Sequence, residues 1–126
     1  MKNTIRIYTY AISFSGILFL LTNSCDKAEI PVLTTIGITN ITISSATCWG
    51  NINSDGGSDI ISRGVTWDTV TNSKAGNSKL EGETDIGGFS CSITGLNANT
   101  RYYVRAFAIN RIGMAYGNEL TFTTLK

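Results

Sequence analysis

The clearest structural pattern in the chain is Leu96-Asn97-Ala98-Asn99-Thr100-Arg101-Tyr102-Tyr103-Val104-Arg105-Ala106. From residue 102 onward, every second position carries an apolar or small side chain. Because successive side chains of a β-strand point to opposite faces of the sheet, these positions share one face. Residues 100–109 are therefore predicted to form a long strand whose core face carries Tyr102, Val104, Ala106 and Ala108.

The rest of the chain after residue 30 repeats this pattern in shorter runs. The runs alternate with period two and are separated by Gly, Asn, Asp and Ser, which favour turns. Strands are predicted over residues 31–38, 44–52, 60–67, 79–83, 89–94, 100–109 and 115–123. About seven short strands in one domain predict an all-β fold, an immunoglobulin-like antiparallel β-sandwich. The other residues predicted to face the core are Ala46, Cys48, Ile52, Ile61, Val65, Trp67, Phe89, Cys91, Ile93 and Leu96.

The first 25 residues have a different composition. The basic residues Lys2 and Arg6 precede an apolar run over residues 11–21, and the small residue Ser24 precedes Cys25. A basic start, a short apolar run and a small residue before a cut are typical of a secretion signal. The run is shorter than the roughly 20 residues that a membrane-spanning helix needs. Residues 1–24 are therefore predicted to be a signal peptide.

The Ser24-Cys25 junction resembles the lipobox of bacterial lipoproteins. The resemblance implies cleavage before Cys25 and acylation of its side chain with chains such as palmitate. It also implies an outer-membrane lipoprotein of the cell envelope, periplasmic or surface-exposed, since two or more acyl chains hold a protein stably on a membrane. Residues 25–30 would be the acylated cysteine and a short charged tether. The alternative is an ordinary cleaved signal followed by an incidental cysteine.

The segment quoted first also resembles the "L-x-P-x-T-x-Y-x-V-x-A" run of fibronectin type III domains. Residues 108–113 resemble the "A-x-N-x-x-G" turn of the same family, and the resemblance extends over roughly residues 31–124. It implies a fibronectin type III-like domain over residues 31–126, of the kind found in bacterial surface lipoproteins. In that family Tyr102 would be the tyrosine corner, with its hydroxyl bonded to nearby backbone. Such sandwiches host unrelated functions, so the resemblance alone names none.

Two cysteines remain in the domain, Cys48 and Cys91. In the predicted sandwich their strands are antiparallel neighbours and both side chains point inward. An exported location permits a disulfide between them. If the strand register offsets them by two residues, they are instead two buried apolar groups. Both alternatives stay open.

The sequence contains no pattern typical of catalysis or metal binding. It has no histidine, which removes the commonest general base, and no Cys-x-x-Cys pair. Asp55, Asp59 and Asp68 match no calcium-loop spacing and are interpreted as turn residues. We therefore expect no catalytic residue, no metal and no cofactor. The charge is nearly balanced, with 10 basic and 9 acidic residues, and indicates no nucleic-acid partner.

One predicted surface favours binding. The face of the long strand opposite the core carries Tyr103, Arg105, Phe107 and Ile109. An exposed aromatic patch of this kind could stack on a sugar ring or dock a protein. Alternatively, Tyr103 and Phe107 cover the backbone at Gly64 and Gly117, which are expected beside them.

The expected function is that of a non-catalytic, lipid-anchored cell-envelope protein. It would bind a glycan or a protein through Tyr103 and Phe107, or through the loops of residues 53–59 and 110–114. The alternative is a structural spacer or an assembly subunit of a surface complex that binds no small ligand. An enzyme built on loop carboxylates is a third hypothesis, disfavoured because no acid–base pair is evident.

Overall fold

A computed structural model describes residues 27–71 and 77–126 of the chain. The predicted signal peptide and Cys25 lie outside the described residues, and so do residues 72–76 of the predicted polar loop. No helix of the described part is long and apolar enough to cross a membrane. The strands are β1 (Val32–Thr39), β2 (Ala46–Ser54), β3 (Ser62–Asp68), β4 (Asn77–Glu81), β5 (Gly87–Ile93), β6 (Arg101–Ile109), β7 (Met114–Tyr116) and β8 (Leu120–Thr123).

The strands form two sheets in which every pair is antiparallel. One sheet has three strands in the order β1-β2-β5, and the other has the order β4-β3-β6-β7, with β8 also paired to β6. The two sheets pack face to face, and the apolar core lies between them. The prediction of an all-β, antiparallel β-sandwich is confirmed.

Most of the residues predicted to face the core are buried in the structure. Alternation along β6 places Tyr102, Val104, Ala106 and Ala108 in the core, each at most 5% exposed. The inward positions of β2 and β5 are also buried, because the same period-two pattern governs them. These are Ala46, Cys48, Ile52, Phe89, Cys91 and Ile93.

The tyrosine-corner position is fixed by one hydrogen bond. The backbone N–H of Asn97 donates to Oη of Tyr102 at 2.8 Å. The Tyr102 side chain is buried and stacks on Phe122 of β8, with the ring centroids 5.7 Å apart. This is the arrangement of a tyrosine corner, because the hydroxyl bonds backbone a few residues upstream.

The start of the third strand was predicted wrongly. Ile61 is 59% exposed and precedes β3, while its neighbour Ile60 is buried. The inward position at the start of the strand is taken by Arg63, only 5% exposed. A charged side chain is therefore buried on the core face, where the prediction named only Ile61, Val65 and Trp67.

The last strand is also split in two, where one was predicted. The Gly117 N–H donates to the carbonyl oxygen of Ala106 at 2.8 Å, and the side chain of Asn118 turns to β1. Its Oδ1 accepts from the Thr35 N–H at 2.9 Å, and its Nδ2 donates to the Thr35 carbonyl oxygen at 3.1 Å. The side-chain amide thus replaces a strand partner and joins the two sheets at this edge.

Candidate functional site

The outer face of β6 is less open than the sequence suggested. Phe107 is only 4% exposed, so the prediction that it forms part of an exposed aromatic patch is wrong. Its partner in β3 is Gly64, which has no side chain, and its partner in β7 is Tyr116. A Cβ added at Gly64 would collide with the backbone of Lys79 and Leu80 in β4, so this glycine allows the close approach of β4.

Two neighbours of Phe107 on this face, Arg105 and Tyr116, contact each other. The guanidinium of Arg105 lies 4.8 Å from the centre of the Tyr116 ring, and its Nε donates to the Gly117 carbonyl oxygen at 3.3 Å. Tyr103 is half-buried. Gly117 was expected beside Phe107, but a Cβ added there would lie 2.6 Å from Oγ1 of Thr35 in the other sheet. This face offers little free aromatic surface.

Within residues 27–71 and 77–126, the exposed aromatic ring lies on the opposite side of the sandwich. Trp49, in the middle of β2, points outward from the three-stranded sheet and is 43% exposed. Its indole Nε1 donates to Oγ1 of Thr39 in β1 at 2.7 Å. This bond fixes the direction of the ring, so the ring is held in place on the sheet.

The three strands around Trp49 contain no charged residue, although Nζ of Lys79 in β4 donates to the carbonyl oxygen of Ser92 at the edge of β5 at 2.9 Å. Ile36, next to Gly37 in β1, is 60% exposed. The Cα partners of Trp49 are Gly37 in β1 and Ser90 in β5, and a Cβ added at Gly37 would meet no atom within 4 Å. No Asp, Glu, Lys or Arg occurs anywhere in β1, β2 or β5. We call this surface the Trp49 face; its other members are Thr34, Thr47, Asn51, Gly88 and Ser92.

The two loops considered as binding loops meet at the end of the domain where the tether enters. The N–H of Glu29 donates to the carbonyl oxygen of Gly56 at 2.8 Å. Nδ2 of Asn110 donates to the carbonyl oxygens of Glu29 at 2.7 Å and of Asp55 at 2.8 Å. Asn110 is 2% exposed. It therefore ties both loops to the tether, and we call this end the tether pole.

The cysteines of the domain lie side by side in the core. Cys48 and Cys91 are direct Cα partners in the β2–β5 pair, and they are 0% and 4% exposed. Both are free thiols in the structure. Burial raises the pKa of Cys48 to about 12 and, with the nearby Glu81 carboxylate, that of Cys91 to about 11.

Within residues 27–71 and 77–126, no group of three or more His, Cys, Asp or Glu side chains could hold a metal ion. The acids Asp55 and Asp59 line a shallow depression at the tether pole with Thr84 and Asp85. Asp55 uses Oδ1 to accept from the Gly57 N–H at 2.8 Å, as expected of a turn residue.

Sequence reasoning missed the Trp49 face, although the signal was present. Cys48 was placed in the core, and alternation puts its neighbour Trp49 on the outside. An outward tryptophan between small and polar residues is the observation that could have identified the surface.

No protein-family model matches the sequence, and no curated protein matches it. Solved structures do resemble it. The sensor domain of the anti-sigma factor RsgI4 in Pseudobacteroides cellulosolvens is 19% identical with a TM-score of 0.59, over 79% of this chain and 98% of that one. A fibronectin type III domain of human collagen XX is 18% identical with a TM-score of 0.53, over 80% and 100%.

A third structure holds domains FN1–FN3 of chicken CNTN1. It is 15% identical with a TM-score of 0.57, over 88% of this chain and 36% of that one. At such low identity the likeness concerns the fold and not the function. The domain is a fibronectin type III-like β-sandwich.

Proposed function

We propose that this chain is a lipid-anchored, non-catalytic module of the cell envelope that binds a neutral glycan through the Trp49 face. The observation that carries the proposal is the exposed Trp49 ring, fixed by Thr39 on a sheet whose three strands contain no charged residue. An exposed indole held in one orientation offers a flat apolar surface on which a ring-shaped ligand can stack.

The chemistry of the face favours a sugar. The π-face of an indole carries partial negative charge and attracts the C–H groups on the flat side of a pyranose ring. Beside the ring, Asn51, Ser90 and Ser92 offer amide and hydroxyl groups that both donate and accept hydrogen bonds, as sugar hydroxyls require. The lack of charged residues in the three strands favours a neutral glycan over an acidic one.

The tether pole suggests how the domain would stand on a membrane. Glu29 is the fourth residue after Cys25, so an extended tether reaches at most about 14 Å from an acylated Cys25 to the domain. With Asn110 holding Glu29 in place, the loops of residues 53–59 and 110–114 would face the lipid. The Trp49 face, on the side of the sandwich, would remain accessible. This arrangement favours the Trp49 face over the loops as the binding surface.

The glycan proposal is tested by affinity electrophoresis of the full-length protein through gels containing amylose, cellulose derivatives, xylan or mannan. We expect at least one neutral polysaccharide to retard the protein and Trp49→Ala to abolish the retardation. Tyr103→Ala is the matched control, because Tyr103 is an aromatic residue on the outer face of the other sheet. Retardation that survives Trp49→Ala, or is lost only in Tyr103→Ala, would reject the Trp49 face.

A second arm separates a glycan from a protein partner. Cross-linking in intact cells, with and without Trp49→Ala, reports any protein held at the same face. A Trp49-dependent protein partner with no polysaccharide retardation would contradict the glycan proposal. If the wild-type protein shows neither polysaccharide retardation nor a Trp49-dependent cross-link, the spacer alternative is favoured.

The anchor has its own test. Metabolic labelling with palmitate and fractionation of the envelope should place the wild-type protein in the membrane fraction. Cys25→Ser should remove the label and release the protein. Unlabelled wild-type protein in the soluble fraction would contradict the anchor and leave the glycan proposal standing.

A further inference from the structure

We propose that Cys48 and Cys91 form a disulfide that cross-links β2 to β5 in the exported protein. The inference is independent of the glycan-binding proposal. It rests on strand register, which places the two cysteines directly opposite each other in an antiparallel pair. The register continues on both sides, through Thr47 with Ser92 and Trp49 with Ser90, so the pairing is not at a bulge.

Direct opposition satisfies the main geometric requirement for the bond. Opposed residues of an antiparallel pair have Cα atoms about 4.5 or 5.5 Å apart, according to their hydrogen bonding. Both distances lie within the roughly 4.4–6.8 Å that disulfides span. Both side chains also point to the same face of the sheet, because both are buried in the core. The alternative of a two-residue offset does not occur.

The burial of the two thiols indicates at which stage of folding the disulfide would form. A thiolate is the attacking species in disulfide exchange, and burial raises the pKa of both thiols well above the ordinary value of 9.0. Neither side chain is accessible enough for an oxidant in the folded domain. The bond would therefore form during folding, before the second sheet covers β2 and β5. It would be a structural cross-link and not a reversible switch.

Formation of the Cys48–Cys91 bond requires an oxidant, and an external disulfide can supply it. One thiolate attacks the disulfide of a thiol-disulfide oxidoreductase or of oxidised glutathione and releases one donor thiol. The second cysteine attacks the mixed disulfide and releases the other. The protein loses two hydrogens, one S–S bond forms, and the donor disulfide is reduced to two thiols.

The cross-link would stabilise the domain through the unfolded state. It closes a loop that contains β3, β4 and the segment between β4 and β5. Closing a loop of about 40 residues removes substantial conformational entropy from the unfolded chain. For a domain of this size, the expected rise in Tm is on the order of 10 °C.

Peptide mapping tests the proposal on the full-length chain. Trypsin places the three cysteines on separate peptides, residues 7–27, 28–63 and 80–101. The protein is refolded in glutathione buffer, its free thiols are blocked by alkylation, and it is then digested. We expect peptides 28–63 and 80–101 to be joined, and to separate on reduction. Two alkylated domain cysteines, or a link from peptide 7–27 to either, would overturn the proposal.

A stability measurement provides the second readout. The oxidised protein should melt on the order of 10 °C above the protein refolded with a reductant. In Cys48→Ala/Cys91→Ala the reductant should change nothing. Equal Tm values for oxidised and reduced wild-type protein would argue against a stabilising cross-link even if the peptides were joined.

Discussion

Asn110 holds Glu29: its Nδ2 donates to the Glu29 carbonyl oxygen at 2.7 Å, at the point where the tether joins the sandwich. The same nitrogen donates to the carbonyl oxygen of Asp55. Oδ1 of Asn110 accepts from the N–H groups of Ile112 and Gly113 at 2.9 and 3.1 Å. One buried amide therefore uses both donors and its acceptor to join three separate segments of the chain.

We predict that Asn110→Asp lowers the free energy of unfolding by about 2–4 kcal/mol at neutral pH. The carboxylate keeps the acceptor but loses both donors, and its negative charge faces two carbonyl oxygens. Urea denaturation measures the change. Asn53→Asp is the matched control, because Asn53 is exposed, and it should shift the free energy by less than about 0.5 kcal/mol. Similar losses in both variants would contradict the role of Asn110.

The buried Arg63 gives a second prediction. Its Nε donates to Oε2 of Glu81 at 2.6 Å, its Nη1 donates to the Asp85 carbonyl oxygen, and its guanidinium lies 4.8 Å from the centre of the Phe89 ring. Glu81→Gln removes the counter-charge and leaves a buried cation without an ionic partner. Since such losses are costly, we expect a decrease of about 2 kcal/mol or more in the free energy of unfolding.

Glu83→Gln is the control for Glu81→Gln, because Glu83 is an exposed residue of the same segment. It should change stability by less than about 0.5 kcal/mol. Guanidinium chloride would screen the charges, so urea is the denaturant of choice. An unchanged midpoint for Glu81→Gln would show that Arg63 does not depend on this carboxylate.

The reduced domain should lose stability in alkaline solution. The folded pKa values of Cys48 and Cys91 are raised by burial to about 12 and about 11, above the ordinary value of 9.0. Above pH 9 the unfolded chain releases thiol protons that the folded chain retains, so stability falls as pH rises toward 11. Below pH 9 both states keep these protons, and the contribution is constant.

Urea midpoints between pH 8 and 11, measured in the presence of a reductant, check this prediction. Cys48→Ala/Cys91→Ala should show a shallower decline, because the two buried thiols with raised pKa values are then absent. Parallel curves for the two proteins would mean that the thiols ionise equally in both states.

Period-two alternation predicted the sandwich because each strand needs only its own sequence to define two faces. It placed Tyr102 and Cys48 in the core without knowledge of their neighbours. It could not predict that Phe107 is buried, because its exposure depends on Gly64 and Tyr116, which register brings to either side. Likewise, Arg63 is tolerated inside because Glu81, Asp85 and Phe89, all distant in the chain, lie beside it.

The register of the β2–β5 pair could not be predicted from the sequence. A shift of the β2–β5 pair by two residues would preserve the same core faces, so composition cannot distinguish one register from another. Cys48 and Cys91 could therefore be placed on one face but not opposite each other. The Trp49 face is different: alternation was sufficient to place it, and its small partners Gly37 and Ser90 emerged only from the register.

The contact between Gly117 and Thr35 gives the last prediction. A Cβ at Gly117 would lie 2.6 Å from Oγ1 and 2.7 Å from the backbone N of Thr35. Thr35 is 2% exposed, and its Oγ1 accepts from the Ala106 N–H at 2.9 Å. A methyl group at Gly117 must therefore push β1 away from the second sheet and break this bond.

We expect Gly117→Ala to lower the free energy of unfolding by about 2 kcal/mol or more, since backbone atoms cannot give way as a flexible side chain does. Gly37→Ala is the matched control in β1 itself, because a Cβ there meets no atom within 4 Å. That variant should unfold at the wild-type midpoint or slightly above it, because alanine restricts the unfolded chain. Equal destabilisation of the two variants would mean that glycine is needed in this region for backbone freedom, and that close contact between the sheets is not the reason.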